Sequence, residues 1–370
     1  MSNITPYNID DYSNPIVDNY RELDLLLFVH IASLLNDSNK YDDVLQWQRD
    51  KLSHSKQVNN YAVKELSRIS KISTQAIKEV LEKAGYDTVD SVDEEIVALG
   101  LLKLPSVTEL TLLEQATKTL FDDINFNINQ KLITNNYGRG LVTKMYEDII
   151  NDSVTKVLSS QTTIAKAVEQ SVFNMSDKGL PSGFVDKGGY RWSTERYTQA
   201  VIKTTVNNTY NELRLSRMAE YDVHTVLVST ISDSAPRCVH IQGAVVDTRP
   251  VSQNDSKFKS VYDYGYGRAD AHRGVNCRHM WFPYIDGANT NNQKQFNVED
   301  ADKNYIISQR QRALERRIRK TKKNLAISKE LNSDKQAHYS RLLRKQQADM
   351  RKHVADNDLT RRYDREKVEK

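Results

Sequence analysis

Both cysteines and four of the eight histidines of this 370-residue chain fall between His224 and His279. The local text runs Ala235-Pro236-Arg237-Cys238-Val239-His240-Ile241-Gln242-Gly243, passes Gly265-Tyr266-Gly267 and reaches His272-Arg273-Gly274-Val275-Asn276-Cys277-Arg278-His279. Two Cys-x-His pairs offer four soft or borderline donors, a composition that suits a structural Zn²⁺. Cys238, Cys277 and His279 are expected to meet in space, with His240 or His272 completing the set. The spacing is not that of a zinc finger, where roughly two to four residues separate paired ligands. A small α+β core with hydrogen-bonded histidines and two buried free thiols is the alternative account of the same residues.

Catalysis asks more of these side chains. A Cys/His hydrolase would use Cys277 or Cys238 as nucleophile and a nearby histidine as base. His279 stands two residues from Cys277, however, whereas nucleophile and base normally come from different elements. An HNH-type, metal-dependent nuclease built on His272, Asn276 and His279 needs a metal-binding ββα hairpin, and the eight residues from His272 to His279 are too few to form one. No phosphate-binding P-loop is present, and Gly265-Tyr266-Gly267 lacks the third glycine and the following helix of a dinucleotide site, so it reads as a turn. With no complete catalytic set, the chain is expected not to be an enzyme.

The elements that would hold this constellation follow from glycine. Gly85 and Gly100 alone precede Gly138, and none follows Gly287. Helices avoid glycine for its backbone entropy, so both ends read as helical and the centre as loop-rich. Residues 21–36 form a largely apolar helix. Ser73 opens another, with Gly85 placed as its C-cap. Leu141, Val142, Met145, Tyr146, Ile149, Ile150, Val154, Val157 and Leu158 recur at helical spacing. Residues 176–190 hold five glycines and prolines and mark a break. Ser193 then caps a helix to about Glu220, and 223–231 (VHTVLVSTI) is a buried strand. The expected fold is mainly α with a small central α+β domain, divided as 1–175, 176–290 and 291–370.

Length agrees with two or three units. Lys and Arg number 53 against 49 Asp and Glu, a net of +4, but the balance is uneven. Residues 301–370 carry 21 basic and 10 acidic side chains, leaving the first 300 residues at −7. In this tail Ile307, Leu314, Ile318 and Leu325 form a narrow seam, Asn332-Ser333-Asp334 a turn, and Tyr339, Leu343 and Met350 a second seam: a helical hairpin. Arg316, Arg317, Arg319, Lys320, Lys322 and Lys323 spread around the first helix and are expected to bind nucleic acid or an acidic partner. Two cysteines exclude a disulfide scaffold and fit a reducing compartment. The acidic N-terminus is no signal peptide, and the most apolar stretch, 23–35, falls short of the roughly twenty residues of a spanning helix. A soluble, intracellular protein with no membrane partner is expected.

The central segment and tail resemble the phage minor capsid protein 2 family, related to the Mu F-like head-morphogenesis proteins. The similarity is carried by Gly188-Gly189-Tyr190-Arg191-Trp192, the helix from Lys203 to Arg214, Val226 to Ser229, Ile241-Gln242-Gly243, Asn276-Cys277-Arg278-His279, Pro283-Tyr284-Ile285 and the charged opening of the tail. It covers about residues 180–365. Relatives commonly place His where Cys238 stands, an exchange that keeps metal-ligand capacity, and an aromatic where Ile241 stands. The resemblance implies a minor structural protein of a tailed-phage head, present in a few copies in the head interior or at the portal vertex. Its partners would be the portal protein, the major capsid protein and, through the tail, packaged DNA. It would pass through the host cytoplasm during assembly and act in head assembly, DNA packaging or ejection. A virion-carried hydrolase or nuclease is the alternative.

Overall fold

The computed structural model describes residues 6–102, 110–133, 140–159 and 162–368; residues 1–5 and Gly138 lie outside them. Along the chain come the helices α1 (Pro6–Leu35), α2 (Val44–Ser53), α3 (Ser55–Ala98), α4 (Leu110–Ile124), α5 (Gln130–Ile133), α6 (Leu141–Leu158) and α7 (Ile164–Lys178), then the strands β1 (Pro181–Val185) and β2 (Arg191–Ser193). Helix α8 (Thr194–Glu220) leads to β3 (Thr225–Val228), the single-turn helix α9 (Pro236–Val239), β4 (Val245–Asp247) and β5 (Trp281–Pro283). The last helices are α10 (Val298–Glu330) and α11 (Gln336–Asp356). The fold is mainly α with a small α+β portion, as its composition predicts. Among the described residues no helix is long and apolar enough to cross a membrane.

Two compact units are each assembled from three chain segments: Met1–Pro15, Gln75–Phe121 and Gln199–Arg310 in the first, Ile16–Thr74, Asp122–Thr198 and Gln311–Lys370 in the second. The consecutive division at 175 and 290 does not follow these units, because α3, α8 and α10 each supply residues to both. Glycine content marks where loops lie; it carries no information on which helices pack together.

In the first unit β3 is the centre of an antiparallel sheet of order β4-β3-β5, with Val226 opposite Val246 on one side and Pro283 on the other. Its β-branched and apolar run is buried as predicted. Val226, Val228, Val246 and Trp281 pack with Ile241, with Val92 and Ile96 of α3, and with Met218 of α8. Gly85 is not a cap but lies inside the 44-residue α3. A Cβ there would approach the Leu113 side chain of α4 to 2.5 Å, so the glycine serves close helix packing. Helix α8 is bound to α3 by charge: Arg217 donates to both carboxylate oxygens of Asp93, at 2.6 and 2.9 Å, and Arg214 pairs with Glu95.

In the second unit α6 buries Val142, Met145, Tyr146, Ile149, Ile150 and Val154 of the stripe read from its spacing, while Leu141 and Val157 are half-buried and Leu158 is exposed. The Tyr146 hydroxyl donates to the Lys51 carbonyl at 3.0 Å. Ser73 does not open a helix either; it is buried within α3 and accepts from the Asn19 amide at 3.3 Å. The glycine-rich break folds as the β1–β2 hairpin, whose turn is organised by Asp186. Its carboxylate accepts from the Gly188 and Tyr190 amides and from the Trp192 indole. Ser193 caps α8, its hydroxyl accepting from the Arg196 amide at 3.4 Å. The expected tail hairpin is present: Leu314, Ile318 and Met350 are its buried seam, flanked by Leu343 and Val354.

Candidate metal centre

The polar face of α8 fixes the backbone on which the cluster is built. Asn207, Asn211 and Arg214 are spaced four and three residues apart, so they share one side of the helix, and all three are buried. Asn211 accepts from the Trp281 amide at 3.2 Å and donates to the His279 carbonyl at 3.4 Å. Arg214 Nε donates to the Trp281 carbonyl at 2.8 Å. Opposite, Ser229 exchanges two hydrogen bonds with the Met280 backbone, at 2.8 and 2.9 Å. His279 therefore enters β5 on a backbone held from both sides.

The loop before it is tightly wound. Arg273 and Asn276 take left-handed backbone, at φ 66° and 59°, a region that asparagine tolerates better than most residues. Gly274 leaves no room for a side chain, since a Cβ would lie 2.2 Å from the Ala269 carbonyl oxygen. Arg237, beside Cys238 on α9, donates to the Val275 carbonyl and ties that helix to the loop. Arg278 reaches outward to Asp233 at 2.9 Å.

These constraints bring Cys238, His272, Cys277 and His279 together, with one donor atom of each within 4.8 Å of the others. Every one is buried, Cys277 the least so at 5% exposure. His272 is the histidine that completes the set. His240 does not belong to it: two residues beyond Cys238 on a helical turn is about 200° around the axis, and its side chain is exposed. Cys277 Sγ lies 3.6 Å from His279 Nδ1. A tetrahedral ion with Zn–S of about 2.3 Å and Zn–N of 2.0–2.1 Å would set that edge at about 3.6 Å.

Hydrogen bonding differs between the two rings. His279 Nε2 faces the Ser234 hydroxyl at 3.4 Å, an arrangement that orients Nδ1 toward the sulfurs. His272 Nε2 accepts from the Trp281 indole N–H at 3.0 Å, while its Nδ1 is buried without a partner. Burial pushes His272 down to about 3, so the ring is neutral. The hydrogen bond between the two sulfurs raises Cys238 and lowers Cys277.

Of the residues weighed for catalysis, both sulfurs are buried, and the Asn276 side chain is exposed rather than joined to His272 and His279. Asn207, Asn211 and Arg214 are the site-holding residues that motif reading passed over. Their signal was a polar i, i+4, i+7 series in a helix that also buries Val206, Tyr210 and Leu213.

The basic residues of α10 lie in the second unit, and four of the six are engaged. Arg319 is buried and donates to Glu195 at 2.6 Å. Lys323 donates to Asp24 and to the Ser176 carbonyl at 2.6 and 2.7 Å, above the Phe28 ring. Lys320 pairs with Asp177 at 3.0 Å, and Lys322 donates to the Glu366 carbonyl at 2.9 Å. Arg316 and Arg317 are exposed. A second basic surface is on α11, where Arg341, Arg344, Lys345, Arg351 and Lys352 are all exposed. At 100° per residue they fall within about 120° of the helix circumference, beside Asp349 and Asp356.

No solved structure matches the chain. A protein of Lactococcus phage LL-H called "Structural protein" is 33% identical over 339 residues, covering 88% of this chain and 90% of that protein. One of the same description from Lactococcus phage mv4 is 42% identical over 114 residues, 30% of this chain and 93% of the relative. The family described as phage minor capsid protein 2 matches residues 4–355, well beyond the stretch from 180 in which its motifs were recognised. The loop, strand and helix that frame the Cys/His cluster, and the helices on either side of them, are those of a chain that belongs to the phage minor capsid protein 2 family.

Proposed function

We propose that this chain is a minor structural protein of a tailed-phage head, seated near the portal vertex, where it binds portal and capsid during head assembly and DNA packaging or ejection. The observation that carries the reading is the family match along residues 4–355. The burial of all four Cys/His side chains supports it, because a closed cluster suits a scaffold rather than a turnover site. The test is co-expression of the full chain with the portal protein of the same phage. Co-purification, together with presence of the chain in purified heads, is the expected result. A chain absent from heads, or one that co-purifies with neither portal nor capsid protein, overturns the reading.

The exposed stripe on α11 favours duplex DNA as the tail's partner. From Arg341 to Lys352 it runs about 16 Å, long enough to meet several phosphates along one strand. Phosphate neutralisation releases counterions, so affinity of the full chain for duplex DNA should fall with salt at a slope of about −0.9 per contact. Glutamate at Arg344, Lys345 and Arg351 should flatten that slope. No binding at low salt would assign the stripe to an acidic protein surface instead.

A further inference from the structure

We propose that Cys238, His272, Cys277 and His279 hold one Zn²⁺ in a closed tetrahedral site, and that Trp281 is rearranged when the ion binds. Two thiols and two imidazoles are the S₂N₂ donor set that selects zinc over hard cations. The donor atoms are already gathered within 4.8 Å, and the Cys277–His279 edge of 3.6 Å matches a zinc tetrahedron. His279 Nε2 has the Ser234 hydroxyl as the outer partner that zinc-bound histidines need. His272 Nδ1, buried and unpartnered, is the remaining donor.

The Trp281–His272 hydrogen bond makes the proposal specific. In the metal-free ring Nε2 accepts from the Trp281 indole, so the ring proton sits on Nδ1. An ion bound at Nδ1 moves that proton to Nε2, where it faces the indole N–H; the hydrogen bond must break and Trp281 must adjust. Cys238 and Cys277 bind the ion as thiolates, and their thiol protons pass to solvent. The site lies where regular structure is sparse, and it joins α9, the wound loop and the start of β5 across 39 residues from Cys238 to Cys277. Its role is a structural clip.

The full chain, purified from zinc-supplemented cells, should carry one zinc per molecule by elemental analysis. Cobalt(II) substitution should give the intense visible bands of a tetrahedral site together with thiolate-to-cobalt charge transfer. Chelation should lower the melting temperature and shift tryptophan emission, the shift being lost in Trp281→Phe. Cys238→Ala should lose the metal while Cys238→His retains it, a rescue that a packing role for the thiol would not give. Wild-type protein that binds no stoichiometric metal after reconstitution overturns the proposal. So does metal that survives both Cys238→Ala and His279→Ala, which would be adventitious. Full metal loading with unchanged Trp281 emission would remove His272 from the ligand set and overturn the closed four-ligand site.

Discussion

Removing Asp93 should cost the first unit more than any surface substitution, because it takes the two-pronged carboxylate partner from a buried guanidinium. Arg217 and Asp93 are each 1% exposed and meet through two hydrogen bonds of 2.6 and 2.9 Å. The Tyr221 hydroxyl adds a third to the same carboxylate at 2.9 Å. Breaking a buried pair from one side destabilises by about 3–5 kcal/mol. Glu220 still faces Arg217 and is partly solvated, so the lower end, about 3 kcal/mol, is expected for Asp93→Ala. Against a typical domain stability of about 5–15 kcal/mol that is a large fraction. Deleting both charges tells the pair's worth from the penalty of stranding one: Asp93→Leu with Arg217→Met should recover most of the loss, since apolar replacement of a buried pair is often neutral. Urea unfolding followed by Trp281 emission is the assay, because Trp281 lies in this unit's core while Trp47 and Trp192 belong to the other. A single variant within about 1 kcal/mol of wild type, or a double variant no better than the single, would refute the reasoning.

Two further outcomes are expected. Burial alone would raise the Glu195 carboxyl, yet Arg319 and Arg21 outweigh it and hold the group below the ordinary range. Its contribution is therefore complete above the unfolded glutamate value, about 4.3, and is lost as pH falls through the lower folded value. The stability gap between wild type and Glu195→Gln should close on acidification, and a gap independent of pH would contradict the assignment. Arg278→Ala breaks the ion pair with Asp233, whose side chains are 18% and 12% exposed, and should destabilise by about 1–3 kcal/mol in urea unfolding. A normally stable variant that fails in head assembly would instead make Arg278 a contact residue.

What could be read from the sequence was local. The helical spacing over 141–158 and the β-branched run at 223–231 reflect periodicities that the chain carries by itself, and both elements stand where they were expected. The Cys-x-His pairs were visible for the same reason, but the choice between His240 and His272 was not. It depends on α9 turning one side chain out and on the loop from Arg268 winding back under it. Ser73 and Gly85 misled because each has two uses. A serine that caps can also hydrogen-bond across helices, and a glycine that ends a helix can also admit a neighbour's leucine. The Arg217–Asp93 pair spans 124 residues, and no pattern within either helix announces it.

The bond between Lys323 and Asp24 joins residues 299 apart within one unit, and this has a temporal meaning. At about 5–20 residues per second, a ribosome needs on the order of 15–60 s after making Asp24 before it supplies Lys323. Until then the carboxylates of Asp24 and Glu195 wait without Lys323 and Arg319. Synthesis of α10 is thus the event that supplies both pairings. A chain clipped near residue 310 would lose a wall of the building in which α1 is housed, not merely a basic appendage. Point substitutions on α11, and not deletion of the tail, are consequently the way to ask what that surface touches.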